Sequence, residues 1–157
     1  MSASAGLTLR PATAADVARI AEIERASFAD PWSAGSFRSV LAHAYAALTV
    51  ADAPGGESVI GYSVIWFVAD EAELANLAVA PDCRRSGVGG ALLDGAIAEA
   101  RSRGALTIYL EVRDSNEAAR GLYRSRGFEE VGRRRQYYRR PVEDAVLMRL
   151  SLRDAAR

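Results

Sequence analysis

The chain contains no lysine: all 20 of its basic residues are arginine. A P-loop ends in Gly-Lys-Ser/Thr, so that class of nucleotide triphosphatase is excluded. Cysteine is nearly absent as well. Cys83 stands alone, which rules out an intrachain disulfide and agrees with a reducing compartment. His43 is the one histidine and lacks neighbours at the ligand spacing a zinc site needs, so no metal is expected. No apolar run approaches the roughly 20 residues that span a bilayer. The start, Met1-Ser-Ala-Ser-Ala-Gly6, has neither the charged nor the apolar segment of a secretory signal. A cytoplasmic protein that stays off membranes is expected. An excess of one charge is missing too: 20 basic and 20 acidic side chains balance to zero, so no direct nucleic-acid binding is expected. At 157 residues, without linker or repeat, the chain is expected to be a single domain (1–157, core about 8–152) and a monomer.

What is present is a glycine-rich bend. Leu77-Ala-Val-Ala-Pro-Asp-Cys-Arg-Arg-Ser-Gly-Val-Gly-Gly-Ala-Leu-Leu93 runs an apolar strand through a turn at Pro81 into Arg84 and Arg85. Ser86, Gly87, Val88, Gly89 and Gly90 then open an amphipathic helix. Glycines let backbone approach an anion, and the first N–H groups of the helix point towards it. Charge-assisted hydrogen bonds from the arginines contribute about 1.5 to 3 kcal/mol each, against about 0.3 to 1 from the helix dipole. Arginine is therefore expected to set affinity and glycine to set shape. The dinucleotide fingerprint needs a third glycine three residues after the second; here Gly89 is followed by Gly90, Ala91 and Leu92. The form that remains, Arg-Arg-x-Gly-x-Gly after a strand, resembles the acetyl-CoA pyrophosphate loop of the GNAT N-acetyltransferases. The plain alternative is a glycine-rich helix entry with surface arginines. Cys83, whose pKa the arginines would lower, is read as a loop residue in preference to a nucleophile.

Leu7–Arg10 reads as a short strand. Thr13-Ala-Ala-Asp16 is a capping box that opens a helix with Val17, Ile20, Ala21 and Ile23 on its apolar side. Ser33 caps a second helix carrying Phe37, Val40 and Leu41. Three strands follow, Ala46–Ala51, Val59–Val68 and Glu71–Val79, as an antiparallel meander whose first turn is Asp52-Ala-Pro-Gly-Gly56. The bend's helix spans Val88–Arg103, with Leu92, Leu93, Ala96 and Ile97 inward and Gly104 as left-handed cap. After a strand at Thr107–Val112, Asn116 caps a helix over Glu117–Arg126 stopped by Gly127, and strands Glu129–Arg135 and Asp144–Leu152 close the chain. The order β-α-α-β-β-β-α-β-α-β-β is an α+β domain with a mixed, mostly antiparallel sheet flanked by helices.

Glu111 sits in Ile108-Tyr-Leu-Glu-Val112, where half-buried surroundings would raise its pKa towards neutrality, as a general base requires. It is otherwise a carboxylate paired with Arg113 or another arginine. Tyr123 is either a core-edge tyrosine or a proton donor to a departing thiolate, since a phenol near pKa 10 is only slightly weaker than a thiol near 8.5. Magnitudes bear on the amine. At pH 7 an α-amine costs about 1 kcal/mol to deprotonate and a lysine about 4.6, which favours protein N-termini weakly.

A wider resemblance decides between these readings. Leu110-Glu-Val-Arg-Asp-Ser-Asn116, Ala118-Ala119, Leu122-Tyr123 and Gly127-Phe128, with Phe28, Pro31-Trp32-Ser33, Tyr137-Tyr138 and Glu143-Asp144-Ala145, closely resemble the RimI-type ribosomal-protein alanine N-acetyltransferases from about Thr8 to Leu152. The resemblance implies the GNAT acyl-CoA N-acyltransferase fold, acetyl-CoA as co-substrate, and the N-terminal amine of a ribosomal protein as acceptor. It makes Glu111 the base and Tyr123 the acid. Acetyl-CoA contacts fall on Leu77, Ala78, Val79, Arg85 to Gly90 and Asn116, with Trp32, Tyr137 and Tyr138 as substrate-binding residues. Trp32 has core packing as its alternative. Arg84 stands where many relatives carry glutamine, and is expected to tighten phosphate binding. Arg139-Arg-Pro-Val142 is shorter and more basic than the family's turn. With Arg133, Arg134 and Arg135 it either draws acidic peptide residues or forms a solvated arginine face. The rival functions are a small-molecule amine acetyltransferase and a non-catalytic acyl-CoA-binding subunit.

Overall fold

The computed structural model describes residues 6–56 and 58–153; Met1–Ala5, which carried most of the signal-peptide reading, lie outside the described residues. The elements are β1 Thr8–Pro11, α1 Val17–Ser27, α2 Ala34–Leu41, β2 Ala46–Asp52, β3 Val59–Val68, β4 Glu71–Val79, α3 Val88–Ser102, β5 Thr107–Arg113, α4 Glu117–Ser125, β6 Glu129–Arg139 and β7 Val142–Ser151. This is the α+β order expected, with single 3₁₀ turns added at Ala14–Asp16 and Pro81–Cys83. No helix among the described residues is long and apolar enough to cross a membrane.

The chain divides into two compact units, one running to Trp66 and including Leu74–Glu99, the other made of Phe67–Glu73 and the chain from Ala100. In the first unit the strands lie in the order β1-β2-β3-β4, with β1 antiparallel to β2 and β2 to β3. Strand β3 is buried along most of its length, as its nearly continuous apolar run requires. Val17, Ile20, Ala21 and Ile23 of α1 and Phe37 and Val40 of α2 join Val50, Tyr62 and Val64 in one core cluster. Arg10 clamps β1 to its neighbours: it donates to both oxygens of Asp16 and, through Nε at 2.7 Å, to Asp52. That guanidinium holds the Asp16 carboxyl below the usual range. The Thr13 capping box is present, but it opens the three-residue 3₁₀ turn that leads directly into α1, because Asp16 is drawn back by Thr13 N–H at 2.8 Å and by Arg10.

In the second unit the order is β5-β7-β6, with both pairings antiparallel. Strand β5 alternates: Ile108, Leu110 and Val112 are buried, while Thr107, Tyr109, Glu111 and Arg113 occupy the other face at intermediate exposure. Strand β6 runs on past its expected end at Arg135 to Arg139, because the ladder with β7 is irregular between Arg134 and Tyr138. There Gln136 takes φ +52°, its N–H caught by Asp144 Oδ1 at 3.0 Å. Asn116 caps α4, its Oδ1 accepting the Ala119 N–H at 3.1 Å. Gly127 ends it at φ +98°, the left-handed region that glycine tolerates.

Candidate active site

In the first unit, the bend after β4 is held by its own side chains. Ser86 Oγ donates to the Cys83 carbonyl, and Ala91 N–H makes a 3.0 Å bond to Gly87 O. That bond opens the α3 ladder, so the N–H groups of Val88, Gly89 and Gly90 have no intrahelical acceptor. Gly87 has φ +87° and Arg85 φ +63°, the latter a left-handed arginine. Such strain in a non-glycine residue costs about 1 to 3 kcal/mol and collects at functional loops. Three N–H groups without an intrahelical acceptor at a helix start and an exposed cation form a donor set that suits a phosphate.

The two arginines part company here. Arg84 folds back, donating through Nε to Val79 O at 3.1 Å and through Nη2 to Ser27 Oγ at 3.0 Å. Arg85 is exposed and makes no hydrogen bond or ion pair within the described residues. Arg84 therefore braces the bend while Arg85 is available to an anion. Ala78 and Val79 are buried and Leu77 half-buried. The Cys83 thiol is pushed up by burial first and by neighbouring Asp82 second, against the lowering that its arginine neighbours suggested, so no nucleophile is poised there.

Trp32 is half-buried. Its ring lies 5.4 Å from Phe37 at an interplanar angle of 43°, on the edge of the core, while Pro31 beside it is exposed and Phe28 is 37 % exposed. Its backbone N–H reaches a buried carboxylate, Glu24, that sequence reasoning did not single out. The signal was available: Glu24 falls four residues after Ile20, on the same helical stripe as the core residues of α1.

In the second unit, Glu111 stands on the unburied face of β5, its side chain 21 % exposed. Its Oε2 is paired with Arg134 Nε from β6. Arg113, the neighbour first considered for this role, instead binds Glu143 Oε1 at 3.0 Å and the carbonyls of Pro141 and Arg140. Glu143 also accepts the Ser115 N–H and hydroxyl. The short basic turn is thus tied from inside, and Arg113 lies 4.2 Å over the Tyr138 ring. Arg133 pairs with Asp114 at 3.0 Å and Asp144 at 3.5 Å. Within the expected arginine face, Arg133 and Arg134 are therefore paired with the chain's own acids.

Tyr123 is 8 % exposed, its ring 5.7 Å from Phe128. Burial first, and Tyr138 second, push its phenol up to about 12. At neutral pH it is a proton carrier, fully protonated. Complete transfer from it to a thiolate of pKa near 8.5 is uphill by about 5 kcal/mol, so what this phenol can offer such a sulfur is a hydrogen bond. Tyr137 and Tyr138 meet edge to face at 5.2 Å and 82° at the β6 irregularity. Tyr138 is pushed up to about 12 by burial and then by the charge of Glu111. Asn116 has its oxygen engaged as the α4 cap, which leaves the Nδ2 group as the donor it can offer a ligand.

The sequence profile of the Acetyltransferase (GNAT) family matches residues 17–128, a stretch that holds the glycine bend, Glu111 and Tyr123. The [ribosomal protein bS18]-alanine N-acetyltransferase of Escherichia coli (strain K12) is 40% identical over 134 residues, covering 83% of this chain and 87% of the relative. The crystal structure of the ribosomal-protein-S18-alanine N-acetyltransferase from Escherichia coli superposes with a TM-score of 0.85 at 37% identity, over 95% of this chain and 96% of that one. The ribosomal-protein-alanine N-acetyltransferase of Brucella melitensis gives a TM-score of 0.81 at 26% identity, over 92% and 99%. Fold, profile and full-length likeness agree: the chain belongs to the acetyltransferase (GNAT) family.

Proposed function

We propose that this enzyme transfers the acetyl group of acetyl-CoA to the N-terminal amine, an alanine, of a ribosomal protein. The observation that carries the proposal is the 40% identity, over most of both chains, to a relative named for that reaction on ribosomal protein bS18. Acetyl-CoA supplies an activated thioester. Arg85 and the N–H groups of Val88, Gly89 and Gly90 hold its diphosphate. Leu77 to Val79 and the Asn116 amide line its path. Trp32, Tyr137 and Tyr138 receive the peptide.

Glu111 takes the proton from the amine, and the Tyr123 hydroxyl donates to the departing sulfur. An α-ammonium is mostly protonated at pH 7, so the peptide arrives as a cation and replaces Arg134 at the Glu111 carboxylate. Charge there stays balanced until the proton moves.

The test is turnover of peptides beginning with alanine, read by mass spectrometry, beside a panel of small free amines. Glu111→Gln and Tyr123→Phe are each expected to lower turnover about 100-fold or more, with acetyl-CoA affinity changed less than about threefold. A clear preference for a free amine, or acetyl-CoA binding without thiol release, would overturn the proposal.

A further inference from the structure

Glu24 is 1 % exposed, and its carboxylate collects donors from three other parts of the first unit. Tyr62 of β3 gives its hydroxyl to Oε1. Asn76 of β4 gives Nδ2 to Oε1 at 2.9 Å and to Oε2 at 3.1 Å. The backbone N–H of Trp32, in the connection between α1 and α2, reaches Oε2 at 2.9 Å. The Phe37 ring closes the pocket, 5.4 Å from Trp32 and 5.5 Å from Tyr62.

A buried charge is expensive unless its partners are complete, and an apolar side chain of similar volume often serves stability as well. What apolar packing cannot do is hold one particular N–H. Along the Phe28–Ser33 connection Phe28, Ala29, Asp30, Pro31 and Ser33 are exposed and Trp32 alone is half-buried, so the Glu24 carboxylate reaches it at its one inward-facing residue. On the other side, Asn76 immediately precedes Leu77 to Val79. One carboxylate thus ties the connection that carries Trp32 to the strand that leads into the bend.

We infer that Glu24 is a positioning residue: it fixes Trp32 and the Phe28–Ser33 connection in the shape that receives the peptide, without touching substrate. The inference rests on the proposed peptide reading. The test uses three variants of the full chain. Glu24→Met removes the acceptor at similar length. It is expected to raise the peptide KM about tenfold, with kcat and the acetyl-CoA KM within about twofold. Glu24→Gln keeps an amide oxygen for the Trp32 N–H and is expected to restore the KM to within about threefold of wild type. Tyr62→Phe takes a donor from the same carboxylate without reaching Trp32, so it lowers stability and leaves the peptide KM in place. Equal KM changes in Glu24→Met and Tyr62→Phe would mean a structural role only, and an unmoved KM in folded Glu24→Met would overturn the inference. Hydrogen exchange of the Trp32 amide decides separately. It should be protected in wild type and exposed in Glu24→Met; absence of protection in wild type overturns the inference even where Glu24→Met fails to fold. A wild-type enzyme that acetylates no peptide refutes the functional reading, and the Trp32 amide then still reports whether Glu24 holds the connection.

Discussion

A methyl group added at Gly61 would stand 2.9 Å from Leu92 Cδ1, 3.1 Å from Ala78 O and 3.2 Å from Val88 Cγ1. Leu92 and Val88 are buried, a valine in a helix has essentially one rotamer, and a carbonyl oxygen moves only with its strand. Overpacking of this kind costs about 1 to 3 kcal/mol. Because Gly61 has an ordinary φ, alanine also recovers about 0.4 to 1 kcal/mol from the unfolded chain. Gly61→Ala is therefore expected to destabilise by about 1 to 2 kcal/mol, seen in urea as a lower midpoint at unchanged slope. The displaced atoms belong to α3 and to β4 just before the bend, so acetyl-CoA affinity measured by calorimetry is expected to fall as well. Gly121 is the internal control: it lies inside α4, and nothing stands within 4 Å of its added methyl. There alanine is expected to stabilise by about 1 kcal/mol. If Gly61→Ala matches wild type to within about 0.5 kcal/mol while Gly121→Ala behaves as stated, the close approach of α3 to β3 is not the constraint argued here.

Arg85→Ala is expected to weaken acetyl-CoA binding about tenfold or more, the equivalent of one charge-assisted hydrogen bond, whereas Arg84→Ala, whose guanidinium is engaged with Val79 O and Ser27, should change it less than about threefold; calorimetry giving the reverse order would refute the division of labour. Alkali is expected to unfold the protein through its tyrosines. Tyr123 is protonated in both states below pH 10, ionises near 10 when unfolded and near 12 when folded, so its contribution of about 3 kcal/mol is lost as pH rises from 10 to 12. Tyr62, pushed up by burial and the charge of Glu24, acts in the same direction. No lysine titrates in that range. Urea midpoints at pH 8 and pH 11 should differ less in Tyr123→Phe than in wild type, and an identical difference would refute the burial argument.

The helices were legible because their signals are local. Thr13 with Asp16, Ser33 and Asn116 each mark a start within four residues, and Gly104 and Gly127 take the left-handed φ their places imply. The face of Glu111 was legible too, since period-two alternation sets it opposite Ile108, Leu110 and Val112. Its partner was not. Arg134 reaches it from the far side of β7, through an irregular ladder whose position depends on Asp144 catching the Gln136 N–H. Register of that kind is decided by pairing between strands: of the partners expected, Arg113 or another arginine, the fold supplies the other arginine, Arg134, while Arg113, two residues along β5, turns to Glu143.

Arg84 and Glu24 mark the same boundary from two directions. Both are charged, and both sit where a local pattern gives their position correctly: Arg84 in the bend, Glu24 on the inward stripe of α1. What a pattern leaves open is whether a charge faces a ligand or is satisfied within the fold. Arg84 is satisfied by Val79 and by Ser27, 57 residues away, and Glu24 by Tyr62 and Asn76, 38 and 52 residues away. Those partners become neighbours only once β3 and β4 pack against α1. Arg85, exposed and without such a partner among the described residues, is the charge of the bend that remains available to an anion.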